Sequence, residues 1–131
     1  MIVDASALLA IVRKESLSAV CFQALLDAKL IRISAANYLE AALVVDGLRD
    51  SAASEELDEL LGRFSVVIEP VTEVQARIAR EAHRRFGRGS GHPARLNFGD
   101  CFAYALAKEQ DEPLLFIGQD FVHTDIGRVP S

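Results

Sequence analysis

The sequence predicts a single α/β domain built on a mostly parallel sheet of four to five strands flanked by helices. Its 131 residues suffice for one domain with its own hydrophobic core. Segments with helical periodicity alternate with short apolar runs, which is the pattern of consecutive βαβ units. The first run, Met-Ile-Val at residues 1–3, is too short for a helix and predicts a buried parallel strand.

The remaining elements follow from the same alternation. Strands are predicted at residues 1–3, 30–34, 66–68 and 114–117, and helices at 5–12, 16–28, 35–48, 55–63, 72–86 and 100–107. Thr72 and Gln75 predict a capping box at the start of the fifth helix. Four glycines and a proline between residues 84 and 99 predict a loop.

Composition limits the class of protein. With 50% hydrophobic and 25% charged residues, the chain has an ordinary globular composition. Cys21 and Cys101 lie in apolar helical patterns without partners at metal-ligand spacing, which predicts buried free thiols and a reducing compartment. The sequence has no basic leader and no apolar run of roughly 18 residues, so we expect a cytoplasmic protein without membrane contact.

Four acidic residues are predicted to meet at one edge of the sheet. Asp4 follows the first strand, Glu40 lies in the first turns of the helix after the second strand, and Asp100 heads the last helix. Asp120 follows the fourth strand. In a right-handed parallel arrangement, these positions share the carboxyl edge, where α/β sheets place their sites. Because converging carboxylates raise one another's pKa, their gathering is costly unless a cation joins them.

Such a cluster predicts a site for a hard divalent cation, Mg²⁺ or Mn²⁺, which carboxylates and water bind well. An ion there can activate water for displacement at a phosphodiester. A simpler alternative stays open, since Asp4 and Ser6 are placed to cap the helix that starts at Ala5. Asp120 can likewise be an ordinary turn residue.

Four segments together resemble a known family. They are Met-Ile-Val-Asp-Ala-Ser-Ala-Leu at 1–8, Ala-Asn-Tyr-Leu-Glu-Ala-Ala at 36–42, Leu-Asn-Phe-Gly-Asp-Cys-Phe-Ala-Tyr-Ala-Leu-Ala at 96–107 and Leu-Leu-Phe-Ile-Gly-Gln-Asp-Phe at 114–121. The chain resembles the PIN-domain ribonucleases over its whole length, and more narrowly the VapC toxins of bacterial toxin–antitoxin pairs.

The resemblance implies a Mg²⁺-dependent endoribonuclease in which Asp4, Glu40 and Asp100 bind the metal, with Ser6 nearby as a substrate-binding residue. The fourth acid of the family corresponds to Asp120 or to Asp125, and Asp120 is nearer to the strand end. The resemblance also implies a homodimer and a small VapB-like antitoxin whose C-terminal segment crosses the active groove. The helices within residues 16–61 are the expected groove and dimer surfaces.

Charge distribution bears on the substrate. The formal net charge of −5 argues against general adhesion to nucleic acid. Residues 77–95 nevertheless hold six of the fourteen Lys and Arg residues, opposed only by Glu81. We predict RNA contacts for the part of this segment that leads into Asp100, namely Arg84, Arg85, Arg88 and Arg95. Arg77 and Arg80 are equally consistent with a solvated helix face.

The aromatic residues near the acids are Tyr38, Phe98, Phe102 and Tyr104, and core packing is predicted for most of them.

Two other functional classes are alternatives to a metal-dependent ribonuclease. Phosphatase and receiver-like domains also place an aspartate after the first strand, but they need a second acid beside it or a late lysine. Asp4-Ala5-Ser6 and Phe116-Ile117-Gly118 supply neither. The third class is a nuclease-inactive domain that only binds an antitoxin.

Overall fold

The computed structural model describes residues 1–129. Its strands are β1 (Ile2–Val3), β2 (Arg32–Ser34), β3 (Val67–Glu69) and β4 (Leu114–Leu115). Its helices are α1 (Ala5–Val12), α2 (Ser18–Asp27), α3 (Ala35–Gly47), α4 (Ser51–Arg63), α5 (Glu73–Phe86) and α6 (Phe98–Gln110). Within these residues, no helix has both the length and the hydrophobicity needed to cross a membrane.

The four strands form one parallel sheet in the order β3-β2-β1-β4. β1 is therefore central: Ile2 pairs with Arg32 of β2 on one side and with Leu114 of β4 on the other. This confirms the predicted α/β fold with its parallel sheet. Because all strands run the same way, their carboxyl ends meet at one edge, which starts directly after Val3.

Helices cover both faces of the sheet, because successive strand residues point to opposite sides. Val3, Ile33 and Leu115 pack into a cluster completed by α1, α2, α3 and α4. Ile2 and Leu114 pack into a second cluster completed by α5 and α6. Cys21 belongs to the first cluster and Cys101 to the second, both as the predicted buried free thiols.

Two predicted helix starts were wrong. α4 begins at Ser51 rather than at residue 55, because the side chain of Asp50 accepts a hydrogen bond from Ala52 N at 3.0 Å and caps the helix. α6 begins at Phe98 rather than at Asp100, because Asn97 is its N-cap. Asp100 is thus the third residue of α6 and lies inside its first turn.

At the start of α5, the predicted N-cap is correct, but the predicted capping box does not form. Thr72 Oγ1 accepts a hydrogen bond from Gln75 N at 3.2 Å, so Thr72 is the predicted N-cap. The Gln75 side chain does not return to complete a capping box. Its amide instead donates to Glu109 Oε1 at 2.9 Å, which ties α5 to α6.

The predicted loop is shorter than expected and is held at its base. α5 ends at Phe86, as predicted, so Arg84 and Arg85, which the helix and loop predictions both included, lie on the helix. Beyond α5, Leu96 N donates to Phe86 O at 2.8 Å and Arg88 N donates to Leu96 O at 3.0 Å. Leu96 is fully buried, so the loop is anchored to the core beside Asp100.

Candidate metal centre

Asp4 lies at the centre of the carboxyl edge because it directly follows the central strand. It is the N-cap of α1, and its Oδ2 accepts a hydrogen bond from Ser6 N at 3.1 Å. The side chain is 6% exposed. The capping alternative is therefore correct as a description of the helix start.

Ser6 connects this turn to the end of the sheet. Its hydroxyl oxygen accepts a hydrogen bond from Ile117 N at 3.0 Å, two residues after β4 ends. This bond spans 111 positions of sequence and joins α1 to the segment that leads to Asp120. Ser6 thus has a clear role in holding the edge together.

Asp100 is buried in the first turn of α6, where it is 8% exposed. Asn97 Oδ1 accepts a hydrogen bond from Asp100 N at 2.9 Å, and Asp100 Oδ2 accepts one from Asn97 N at 3.0 Å. These reciprocal bonds form a capping box, which fixes the orientation of the carboxylate. As at Asp4, a helix N-terminus holds an acid at the edge of the sheet.

The charges of all four predicted acids act on this edge. Burial raises the pKa of Asp4 to about 6, and the charge of Glu40 adds to the shift, whereas hydrogen bonds from Ser6 oppose it. Burial raises the pKa of Asp100 to about 7. The Asn97 amide opposes that shift, and Asp120 and Asp4 add to it. Each of the four predicted acids therefore interacts electrostatically with at least one other at this edge.

Two members of the group are buried and two face solvent. Asp4 and Asp100 form the floor, whereas Glu40 and Asp120 are exposed at the rim. Within residues 1–129, none of the four carboxylates forms a salt bridge with Lys, Arg or His. The negative charge of the edge is thus not balanced by the protein's own cations.

Asp125 lies away from these four acids, and each of its two carboxylate oxygens accepts a hydrogen bond. It accepts hydrogen bonds from Tyr104 Oη at 2.7 Å and from Lys108 Nζ at 2.8 Å, and Arg85 Nη1 is 3.9 Å away. Although partial burial opposes it, these hydrogen bonds hold the pKa of Asp125 below its ordinary value. Of the two alternatives for the fourth acid, only Asp120 thus acts on Asp100.

The four side chains fit a hard divalent cation in chemistry, since all their donors are carboxylate oxygens and two of them are buried without a compensating charge. In residues 1–129, no three His, Cys, Asp or Glu side chains are close enough together to hold a metal ion directly. Mg²⁺ commonly takes one or two carboxylates and keeps several waters, so Asp4 and Asp100 match its ordinary requirement.

The four predicted RNA-contacting arginines divide into two pairs. Arg88 and Arg95 flank a depression of about 500 Å³ that also contains Asp120 and His123. Arg84 and Arg85 lie on α5, where their acidic partners are Glu81 at 3.6 Å and Asp125 at 3.9 Å. The structure therefore brings Arg88 and Arg95 to the acidic edge, but not the other two.

Two neighbours of Glu40 were missed by the sequence reasoning. Asn37 is fully buried, and its amide nitrogen donates to Glu40 Oε1 at 3.3 Å and to Gly99 O at 3.0 Å. Gly99 packs directly against the Glu40 carboxylate. Asn37 could have been noticed as a polar residue one helical turn before Glu40, but its burial depends on packing between α3 and α6.

Comparison with known proteins identifies the family of the chain. The family model of the PIN domain matches residues 1–127. Ribonuclease VapC28 of Mycobacterium tuberculosis is 56% identical over 128 residues, which is 98% of this chain and 96% of that protein.

Solved structures share the fold at low sequence identity. The crystal structure of Mycobacterium tuberculosis VapC20, described as a sarcin-ricin loop cleaving toxin, matches with a TM-score of 0.79 and 16% identity. The match covers 99% of this chain and 98% of that one. FitAcB from Neisseria gonorrhoeae matches with a TM-score of 0.69 and 18% identity, over 98% and 96% of the two chains. The chain belongs to the PIN domain family, among its VapC ribonucleases.

Proposed function

We propose that this protein is a Mg²⁺- or Mn²⁺-dependent endoribonuclease that acts as the toxin of a toxin–antitoxin pair. The observation that carries the proposal is the pair of buried carboxylates, Asp4 and Asp100, which have no cationic partner within residues 1–129. Similarity to VapC28, a ribonuclease by name, supports RNA as the substrate. A domain that only binds an antitoxin would have no need of this uncompensated charge.

Each acid has a role that follows from its position. Asp4 and Asp100 would hold the cation, because helix amides fix both carboxylates in place. When bound, the cation supplies positive charge at the scissile phosphate and promotes deprotonation of the attacking water. Glu40 faces solvent at the rim and would add its negative charge to the binding of the cation. Asp120 also faces solvent at the rim, where its carboxylate can accept the proton of that water. Water attacks phosphorus as it gives a proton to the Asp120 carboxylate, the bond to the leaving ribose oxygen breaks, and that oxygen takes up a proton from solvent.

RNA contact is proposed for Arg88 and Arg95. Both are exposed, and they share their depression with Asp120. Guanidinium groups bind phosphate oxygens through paired hydrogen bonds. A phosphate backbone held between these arginines would pass beside the acidic rim, so binding and cleavage would occur on adjacent surfaces.

Protein partners are proposed on two other surfaces. A groove of about 840 Å³ between α1, α2 and α4, lined by Ile11, Phe22 and Leu60, would accept an apolar segment of a small VapB-like antitoxin.

Leu39 and Leu43 of α3 are 53% and 62% exposed and would form part of a homodimer contact. Phe98, one of the four aromatic residues for most of which core packing was predicted, is 80% exposed. Light scattering on the Leu43→Glu variant tests the dimer, which should dissociate.

The first prediction concerns removal of the metal. The purified protein should cleave RNA in Mg²⁺ or Mn²⁺ and lose cleavage in EDTA, because the proposed ligands are hard oxygens that the protein itself leaves uncompensated. Zn²⁺ should restore little activity. Gel analysis of a structured RNA provides the measurement, and undiminished turnover in EDTA would contradict the proposal.

The second prediction separates the two late aspartates. Asp120→Asn should lower the cleavage rate by about 100-fold or more, since it removes a proton-accepting group beside Asp100. The matched variant Asp125→Asn should lower the melting temperature, because it weakens the bonds with Tyr104 and Lys108, but should leave the rate per folded molecule near that of the parent. The reverse pattern would assign the catalytic role to Asp125.

The third prediction concerns the arginines. Arg88→Ala and Arg95→Ala should raise KM for RNA, and each should reduce the slope of log KM against log salt by roughly 1 if it removes a phosphate contact. Arg77→Ala is the control, because Arg77 is exposed and pairs with Glu73 on α5. Equal effects of all three substitutions would indicate general electrostatic attraction instead of a defined RNA path.

A further inference from the structure

A buried amide connects α3 to the start of α6. Asn37 is fully buried, and its Nδ2 donates hydrogen bonds to Gly99 O at 3.0 Å and to Glu40 Oε1 at 3.3 Å. Its Oδ1 is buried and has no hydrogen-bond partner within residues 1–129. A buried acceptor without a partner destabilises the fold. The stabilising contribution of Asn37 therefore comes from the two hydrogen bonds that its Nδ2 donates.

Gly99 completes the arrangement from the other helix. A Cβ on residue 99 would lie 3.1 Å from Glu40 Cδ and 3.3 Å from Oε1, and closer still to Oε2. The absence of a side chain therefore leaves the space that the Glu40 carboxylate occupies. Gly99 directly precedes Asp100, so this space adjoins the buried acids.

Glu40 needs such support because its side chain is long and exposed. Among residues 1–129, Asn37 is the one hydrogen-bond donor to its carboxylate. A free glutamate loses rotamer freedom whenever it is fixed at a site. An amide can fix it without adding a positive charge, so the full negative charge of Glu40 stays available to a cation.

We propose that Asn37 and Gly99 are positioning residues that hold the Glu40 carboxylate at the first turn of α6, beside Asp4 and Asp100. The inference rests on the proposed metal-dependent function and adds the two residues that preorganise its third acid. Neither residue is proposed to touch the metal or the RNA. They act through Glu40 alone, which defines how the inference is tested.

The test is Mn²⁺ binding to the purified protein without RNA, measured by calorimetric titration. Asn37→Leu removes the donors at similar volume, and Gly99→Ala places a methyl group where the carboxylate lies. Each should weaken Mn²⁺ binding by about 10- to 100-fold, the usual effect of losing a group that orients a metal ligand. Gly99→Ala should fold, because the group that it displaces is the end of a flexible side chain. If Asn37→Leu does not fold, Mn²⁺ binding by Gly99→Ala alone tests the inference.

Gln75→Leu is the matched control. Gln75 is also a buried amide that donates to a glutamate, Glu109, but it joins α5 to α6 away from the acids. Its substitution should lower the melting temperature and leave Mn²⁺ binding unchanged. A loss of Mn²⁺ affinity in Gln75→Leu as large as in Asn37→Leu would overturn the inference, because general loosening would then explain both.

Coupling to Glu40 is the decisive readout. In a Glu40→Ala background, Asn37→Leu should cause no further loss of Mn²⁺ affinity. An undiminished loss there, or parent-like Mn²⁺ binding by folded Asn37→Leu and Gly99→Ala, overturns the positioning role while the proposed function stands. A parent protein that neither binds Mn²⁺ nor requires metal for cleavage overturns both.

Discussion

The fold gathers negative charge at one edge of its sheet and leaves it without an internal counter-charge. Asp4 and Asp100 are both buried, and burial raises the pKa of each carboxyl far above its ordinary value. Removing a charge from water is costly unless it is paired. The packing of β1, α1 and α6 holds both carboxylates in place despite this unfavourable free energy. The proposed cation would stabilise them by supplying the missing positive charge.

Helix termini make the arrangement possible. The amide of Ser6 donates to Asp4, and the amide of Asn97 donates to Asp100. Each carboxylate thus receives partial positive charge from the start of a helix, which favours its ionised form. Capping and metal binding are often treated as competing explanations of an aspartate at a helix start. Here they are compatible, because the cap fixes the side chain and leaves other lone pairs free.

Much of this was accessible from sequence, because strand and helix patterns alternate clearly, and each acid lies either just after a predicted strand or in the first turns of a predicted helix. The start of α4 was missed because Ser51 to Ser54 show no apolar periodicity, so only the Asp50 cap marks it. Arg84 and Arg85 fell in both the predicted helix and the predicted loop, and the structure places them on the helix, which ends before the first glycine at residue 87. The sequence could not distinguish Asp120 from Asp125, because their environments differ through tertiary contacts, above all that of Tyr104 with Asp125.

The stability of Asp100→Asn tests the central claim most directly. The raised pKa of Asp100 means that the folded state keeps a proton which the unfolded chain releases near 3.8, so metal-free stability falls as pH rises through about 7. At about pH 8 in EDTA, Asp100→Asn should therefore be as stable as the parent or more stable, by on the order of 1–3 kcal/mol. Mg²⁺ should stabilise the parent and have little effect on the variant. A variant that is clearly less stable than the parent in EDTA, or equally stabilised by Mg²⁺, would contradict the account.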